Sequence, residues 1–238
     1  INTIIVPIIQ QNYIGRFLQT LHANTEKETF RVIIIDHTSN TDSYNKYKDL
    51  THLWIFSYRN LGFSKAMNTG IRLAQTPYIT LANDDIEFMN KRWWQGIVDT
   101  FAQDQNIIAV NPMSPKEGAW GYGLRSDNMD TWQPPEEYVK GDDPLAVYAK
   151  RPDGTGFFYK EEFTEADYDF LLHNHPRYRE GSVVDAIAMW CTVFKKTGLE
   201  EIGILDERFY PGGGEDYDMN ARAYSCAWPQ EREVCDTK

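Results

Sequence analysis

The segment Arg31-Val32-Ile33-Ile34-Ile35, which Asp36 follows, decides the fold class of this chain. After Arg31 the segment is entirely apolar and β-branched, so it predicts a strand buried on both faces, as strands of parallel sheets are. Similar short apolar runs on either side predict further strands at residues 3–6, 53–56, 78–82 and 107–110. Between them, apolar residues recur at helical spacing, in the stripes Ile14, Phe17, Leu18, Leu21 and Phe63, Met67, Ile71, Ala74. The alternation predicts an α/β fold, with a mostly parallel sheet and helices on both of its faces.

Composition limits the classes of function. The chain has 238 residues, of which 42% are apolar and 25% charged, so it is expected to fold around a substantial core. The net charge of −11 opposes binding to long nucleic acids. No apolar run approaches the roughly 18 residues that a membrane span requires. Three cysteines without metal-type spacing, Cys191, Cys226 and Cys235, favour a reducing compartment, which we take to be the cytoplasm, and disfavour zinc.

The regular pattern is interrupted between residues 113 and 182, where aromatic residues alternate with glycines and acids. We predict one catalytic domain in three parts: a nucleotide-sugar-binding half at 1–112, an aromatic-rich insertion at 113–182 and an acceptor and catalytic half at 183–238. The aromatic side chains of the insertion would either stack on sugars or form a small core of their own. Since the chain begins at Ile1, already inside a predicted strand, we expect it to be part of a longer protein.

Acidic side chains follow two of the predicted strands. Asp36 comes directly after the second strand, and Asn83-Asp84-Asp85 follows the fourth. Ligands of open α/β sheets bind beyond the carboxyl ends of the strands, so both groups should open onto one crevice. Carboxylates there could hold Mg²⁺ or Mn²⁺ against a diphosphate. The alternative is an acidic turn that is simply exposed to solvent and binds no metal, since such a turn would have the same residues.

A second acidic motif follows the run Pro211-Gly212-Gly213-Gly214. Glu215-Asp216 comes next and opens a predicted helix. A carboxylate at the crevice could accept a proton from an attacking hydroxyl. Helix capping is the structural alternative, because acids favour helix N-termini.

Several motifs in the right order resemble glycosyltransferase family 2, and the second half resembles its rhamnosyltransferase-like branch. The resemblance covers about residues 3–112 and 183–228 and leaves the insertion unmatched. It rests on these motifs: Asn60-Leu61-Gly62-Phe63 with Asn68 and Gly70, Asn83-Asp84-Asp85, Val184-Asp185, Leu205-Asp206-Glu207-Arg208-Phe209 and Gly214-Glu215-Asp216-Tyr217-Asp218.

The resemblance implies a GT-A fold and assigns roles to individual residues. Asp85 would bind the metal, Asp216 would be the general base, and Glu215 would support Asp216. Asp36 would contact the base or ribose, while Asp185 and Trp190 would lie near the sugar or acceptor. The other residues implied in nucleotide binding are Pro7, Asn60, Gly62, Lys65, Asn83 and Asp84.

The chain also departs from the family pattern. Pro7, where the first strand is expected to end, precedes Ile8 instead of the usual threonine, and Met67 stands where an arginine is common. Lys65 or Arg72 would therefore have to take over contact with the diphosphate. His37 replaces a second acid, and a solvated loop histidine is the usual interpretation of such a residue. No histidine follows His175, so a late metal ligand found in many members is missing.

The sequence thus predicts an inverting glycosyltransferase that depends on Mn²⁺ or Mg²⁺. Its donor would be a UDP-, dTDP- or GDP-linked sugar, with dTDP- or UDP-rhamnose favoured, and its acceptor a glycan or glycolipid. One alternative is a nucleotide- or carbohydrate-binding module that has kept the fold and lost catalysis. Another is a sugar-phosphate nucleotidyltransferase, which residues 8–12 disfavour because they lack a basic, glycine-rich loop.

Overall fold

The computed structural model describes residues 1–112, 148–150, 157–159 and 187–227. The chain divides into two compact units, one formed by Ile1–Pro112 with Ile187–Lys238 and the other by Met113–Ala186. In the second unit the described elements are two short antiparallel strands, β6 (Tyr148–Lys150) and β7 (Phe157–Tyr159). The rest of the predicted aromatic insertion lies outside the described residues.

The first unit alternates strands and helices along its first 112 residues. Its strands are β1 (Asn2–Ile8), β2 (Phe30–Asp36), β3 (Leu53–Phe56), β4 (Tyr78–Ala82), β5 (Ala109–Val110) and β8 (Cys191–Lys195). Its helices are α1 (Ile14–Asn24), α2 (Asp42–Tyr47), α3 (Phe63–Leu73), α4 (Trp93–Gln103), α5 (Lys196–Ile202) and α6 (Glu215–Ala227).

These strands form a six-stranded sheet in the order β3-β2-β1-β4-β8-β5. β1 pairs in parallel with both β2 and β4, and β2 pairs in parallel with β3. β8 runs antiparallel to β4 and to β5. The predicted mostly parallel sheet is therefore confirmed, and the return of the chain at β8 inserts an antiparallel strand beside β4.

Apolar clusters cover the sheet on both faces, because successive strand residues point to opposite sides. Ile5 and Ile35 pack on one face with Met67 of α3. Ile4 and Ile34 pack on the other face with α1. All four predicted core residues of α1 are buried, and burial of a side chain of this size contributes about 1.5–3 kcal/mol. Helices on both faces are thus confirmed.

Helix α3 lies very close to β1. A Cβ atom added at Gly70 would be 2.4 Å from the Ile5 side chain, closer than two carbon atoms can approach. The glycine of the family signature therefore lets α3 approach the sheet, and α3 in turn fixes the loop that precedes it.

The prediction that Pro7 ends the first strand is wrong. β1 continues to Ile8, with Pro7 opposite Ile35 of β2. The Ile8 carbonyl accepts a hydrogen bond from the His37 amide, on the β2 side, so the nitrogen of Pro7 faces β4. The pairing of β1 with β4 has already ended at Ile5, and the missing N–H of proline breaks no ladder bond there.

None of the helices among the described residues is both long and apolar enough to span a membrane.

Candidate active site

The acidic turn begins where β4 ends. The Asn83 amide donates to the Trp190 carbonyl at 2.9 Å, which extends the pairing of Ala82 with Cys191 by one residue. Asn83, Asp84 and Asp85 thus lie at the carboxyl edge of the sheet, as predicted. The Trp190 side chain is half-buried and packs against the apolar cluster on the α1 face.

Asp84 and Asp85 repel each other. Burial raises the pKa of Asp84 to about 6, and the neighbouring charge of Asp85 adds to the shift. A bound cation would relieve both effects, because it favours the ionised carboxylates. No group of three or more histidine, cysteine or acidic side chains suited to a metal exists within the described residues. Two carboxylates fit Mg²⁺ or Mn²⁺, since such ions are commonly held by one or two carboxylates together with substrate phosphates and water.

Asp36 ends β2 as predicted, but its side chain is fully buried. One carboxylate oxygen accepts hydrogen bonds from the Thr38 amide and hydroxyl at 2.8 and 2.7 Å. The other accepts from the Trp54 indole at 2.9 Å. In this conformation the carboxylate shapes the loop after β2 and leaves no surface for a ligand. Its contact with the nucleotide stays a prediction, and that contact would cost these bonds.

His37 follows Asp36 and is not the solvated side chain that its loop position suggested. The residue is partly buried, and both ring nitrogens are shielded from solvent without a hydrogen-bond partner among the described residues. Burial lowers the pKa of His37 against the opposing effect of Asp36. The imidazole is therefore neutral at pH 7, with one donor and one acceptor nitrogen.

The signature loop before α3 contacts the loop before α6. The Asn60 side chain accepts from the Gly62 amide at 2.8 Å, and the Phe63 amide donates to the Pro211 carbonyl at 2.7 Å. Gly62 has φ +74°, and an added Cβ would lie 2.8 Å from Tyr210. Asn60 and Gly62 therefore shape a junction between the two halves of the sequence. Nucleotide contact by either residue stays a prediction.

The two candidate replacements for the missing arginine both face Glu207. Arg72 contacts its carboxylate at 3.0 Å, and the Lys65 ammonium lies 4.0 Å away. Hydrogen bonds from Asn68 and Arg72 lower the pKa of Glu207. Met67 itself is fully buried in the core. In this conformation both cations lie beside Glu207, Arg72 more closely than Lys65, and both side chains are about half-exposed, 46% for Lys65 and 56% for Arg72.

Asn68, which the sequence marks only as part of a motif, is a buried clamp. Its amide donates to the Leu205 carbonyl at 2.8 Å and accepts from the Leu205 amide at 3.0 Å. It thereby fixes the chain a few residues before the glycine-rich loop.

Glu215 and Asp216 occupy the first turn of α6, as predicted. The Glu215 carboxylate accepts from the Gly213 amide and so orders the glycine-rich loop before the helix. The Asp216 carboxylate accepts from the Tyr217 amide, in the first turn of the helix, at 2.9 Å, so the capping alternative describes Asp216 in this conformation. The Asp216 carbonyl accepts from the Asn220 side chain at 2.7 Å, within the helix.

The segment 187–190 joins the acidic turn to α6. At one end the Trp190 carbonyl binds Asn83. At the other end the Asn220 side chain pairs with the amide and the carbonyl of Ile187, both at 2.9 Å. Four residues therefore bring the predicted metal turn and the helix of the predicted base together. Asp185, two residues before this segment, lies outside the described residues, as does His175.

The chain is similar to several solved glycosyltransferase structures. S. aureus TarS residues 1–349 matches with 15% identity and a TM-score of 0.55, covering 94% of this chain and 55% of that one. The Pyrobaculum calidifontis mannosyltransferase PcManGT, in complex with GDP-Man and Mn²⁺, matches with 15% identity and a TM-score of 0.55, covering 92% and 50%. GalNAc-T7 with UDP, GalNAc and Mn²⁺ matches with 13% identity and a TM-score of 0.57, covering 94% and 40%. The chain thus spans about half the length of these structures.

At such identities the likeness establishes the fold, which is GT-A. The sequence matches none of the curated proteins with which it was compared. The family described as Glycosyl transferase family 2 matches residues 3–166, which extends into the insertion that we expected to be unmatched and ends before Asp185 and Asp216. Because that match covers most of the chain, the protein belongs to glycosyl transferase family 2.

Proposed function

We propose that the chain is the catalytic part of an inverting glycosyltransferase that uses a nucleotide diphosphate sugar and a divalent metal. The observation that carries the proposal is the link through residues 187–190, which joins the acidic turn after β4 to the helix that begins with Glu215 and Asp216. A crevice with a diphosphate-binding turn on one side and a carboxylate on the other would suit the transfer of a sugar from a diphosphate to a hydroxyl.

Asp85, assisted by Asp84, would hold Mn²⁺ or Mg²⁺ on the donor diphosphate. When bound, the ion neutralises the negative charge that develops on the leaving diphosphate. Asn83 fixes the position of this turn through its bond to Trp190. Lys65, half-exposed beside Glu207, supplies a cation at the opening of α3.

Asp216 would act on the acceptor. Its carboxylate accepts the proton of the acceptor hydroxyl while that oxygen forms a bond to the anomeric carbon of the donor. The bond between this carbon and the diphosphate breaks, and the nucleoside diphosphate leaves with the electron pair. Attack from the face opposite the leaving group inverts the anomeric configuration. Asn220 supports this role, because it ties the Asp216 carbonyl to Ile187 and so fixes the first turn of α6.

The donor is proposed to be a UDP-, dTDP- or GDP-linked sugar, transferred to a glycan or glycolipid. PcManGT was solved with GDP-Man and Mn²⁺, and TarS with UDP-GlcNAc, so both base types occur on this fold. The motifs from Leu205 to Asp218 favour a rhamnosyltransferase-like enzyme, with dTDP- or UDP-rhamnose as donor.

The test is release of nucleoside diphosphate from a panel of donors with Mn²⁺, with and without glycan acceptors. Replacing Asp216→Asn should lower turnover by about 10²–10⁴-fold, the usual contribution of a general base. Nucleotide binding in the presence of Mn²⁺, measured as a rise in melting temperature, should be unchanged. Asp49→Asn, at an exposed acid on the turn before β3, is the matched control and should keep full turnover. Retained turnover in Asp216→Asn would exclude this residue as the base.

A binding module without catalysis is the second candidate. The buried Met67 favours it, since the chain has no cation at that position. A binding module would show a nucleotide-dependent rise in melting temperature with Mn²⁺, without release of product from any donor. Metal-dependent product release would exclude it.

A further inference from the structure

The acidic turn after β4 is held at both of its ends. At one end the Asn83 amide donates to the Trp190 carbonyl at 2.9 Å. At the other end Phe88 is buried, with 5% of its surface exposed. Only four residues separate Asn83 from Phe88, and they include both Asp84 and Asp85. The contacts that hold Phe88 therefore also limit where the two carboxylates can lie.

Two side chains of α1 hold the backbone of Phe88. The Thr20 hydroxyl accepts from the Phe88 amide at 3.1 Å, and the Asn24 side chain donates to the Phe88 carbonyl at 2.6 Å. Thr20 and Asn24 are partly buried and four residues apart, so they lie on one face of the helix. Phe88 belongs to no strand or helix, and its buried backbone groups need such partners. Thr20 and Asn24 together form what we call the α1 bracket.

The Phe88 ring is packed separately from the bracket. It meets the Phe17 ring edge-on, with centroids 5.4 Å apart, and its centroid lies 4.8 Å from that of Trp93. The Trp93 indole donates to the Thr25 hydroxyl, directly after α1, at 2.8 Å. Ring packing fixes the side chain, whereas the bracket fixes the orientation of the peptide groups on both sides of Phe88. One of these peptide groups leads back into the acidic turn.

The acidic turn needs such support because its two carboxylates are on adjacent residues. When Asp84 and Asp85 are both ionised they repel each other, and an unrestrained turn would move them apart. A divalent ion requires the opposite arrangement, with both oxygens within reach of one point. A turn that is held before the ion arrives binds it without the cost of ordering the loop.

We propose that Thr20 and Asn24 are positioning residues, which hold the acidic turn in the conformation that binds the divalent metal. The inference rests on the proposed function, in which Asp85 and Asp84 hold Mn²⁺ or Mg²⁺. The bracket acts through the backbone of Phe88 and supplies no ligand to the ion. The alternative is a purely structural bracket, which would contribute to stability and leave the affinity for the metal unchanged.

The test compares Mn²⁺ binding by the wild type and by the double variant Thr20→Val with Asn24→Leu. Both replacements keep the approximate size of the side chain and remove the hydrogen bonds to Phe88. Electron paramagnetic resonance of free Mn²⁺, with UDP and separately with GDP, measures the affinity. The double variant should bind Mn²⁺ about tenfold more weakly, the lower end of the effect of groups that support metal ligands. Turnover should fall at limiting Mn²⁺ and return to within about twofold of the wild type at saturating Mn²⁺, because concentration overcomes a weakened binding step.

Single variants separate positioning from stability. Thr20→Ser keeps the hydroxyl and should bind Mn²⁺ like the wild type, whereas Thr20→Val alone should bind it more weakly. Thr25→Val is the matched control, because it removes the hydrogen bond to Trp93 next to the bracket and leaves the bracket intact. Thr25→Val should lose stability to urea and keep the affinity for Mn²⁺. If the double variant does not fold, the comparison of Thr20→Val with Thr20→Ser decides the question.

Two results would overturn the inference. One is an unchanged Mn²⁺ affinity in the folded variants that lack the bracket. The other is an equal loss of affinity in Thr25→Val and Thr20→Val, which would make the effect one of general stability. If the wild type holds no Mn²⁺ with either nucleotide, the proposed function fails and this inference fails with it. Wild-type binding that the variants share refutes only this inference.

Discussion

The loop after β2 and the turn after β4 both carry carboxylates at the same edge of the sheet, yet they are stabilised in opposite ways. After β2, the Asp36 carboxylate is satisfied by Thr38 and Trp54 within the chain. After β4, Asp84 is partly desolvated beside Asp85, and its pKa is raised to about 6. The first carboxylate is therefore part of the framework, and the second pair is a site that a cation would stabilise. Acidic residues at equivalent strand ends thus need not share a role.

The largest expected effect is a loss of turnover on substitution in the turn after β4. Asp85→Asn should lower turnover by about 10²–10³-fold, since it removes a charge that would hold the ion on the leaving diphosphate. The metal-free variant should be as stable as the wild type or slightly more stable, because the repulsion on Asp84 is relieved. Donor turnover with Mn²⁺ and urea unfolding without it measure both effects. Loss of stability with unchanged turnover would give Asp85 the structural role instead.

Removing the Asp36 carboxylate, in the loop after β2, should instead lower the stability of the fold. Asp36→Ala leaves the partly buried Trp54 indole and the Thr38 amide without acceptors, and it should lower the free energy of unfolding by about 3 kcal/mol. Urea denaturation measures the loss, and Asp49→Ala, at an exposed acid, is the control, expected within about 0.5 kcal/mol of the wild type. A stable Asp36→Ala variant that has lost nucleotide affinity would return Asp36 to the role that the family resemblance implied.

The smallest expected effect is a pH dependence of the acidic turn. In the metal-free protein the pKa of Asp84 is raised from 3.8 to about 6, so the folded state binds its proton more tightly than the unfolded state does. The contribution of protonated Asp84 to the free energy of unfolding should therefore be complete below pH 4 and be lost as the pH rises through about 6. The loss should be on the order of 1 kcal/mol after solvent screening. Urea unfolding at several pH values, compared with Asp84→Asn, isolates this contribution, and identical pH profiles would contradict it.

The strands and helices were largely predictable because apolar periodicity depends only on local sequence. The strand at Leu53–Phe56 and the one at Tyr78–Ala82 have the predicted bounds. Pro7 was misassigned, since the residue is tolerated only because β1 has lost its β4 neighbour at that point. Whether the backbone N–H of a strand residue has a hydrogen-bond partner depends on the neighbouring strand, which the local sequence does not show.

The candidate site was predictable in its location and less so in its contacts. The strand and helix pattern correctly placed Asp84 and Asp85 at the carboxyl edge and Asp216 in the first turn of a helix. The sequence could not reveal that Arg72 is held by Glu207, because the two residues are 135 positions apart and meet only after folding. The same applies to Asn220, whose partner Ile187 is 33 residues away.

The sequence by itself determined the class of fold, the positions of the elements and the residue types available for chemistry, because these follow from local periodicity and composition. Only the tertiary structure decided how those polar groups are used. It buries the Asp36 carboxylate among its own partners, leaves the His37 nitrogens without a partner in the described part of the chain, and brings Asp84 close to Asp85. Hydrogen-bond partners and desolvation depend on distances between segments far apart in the chain, and no pattern of neighbouring residues contains those distances.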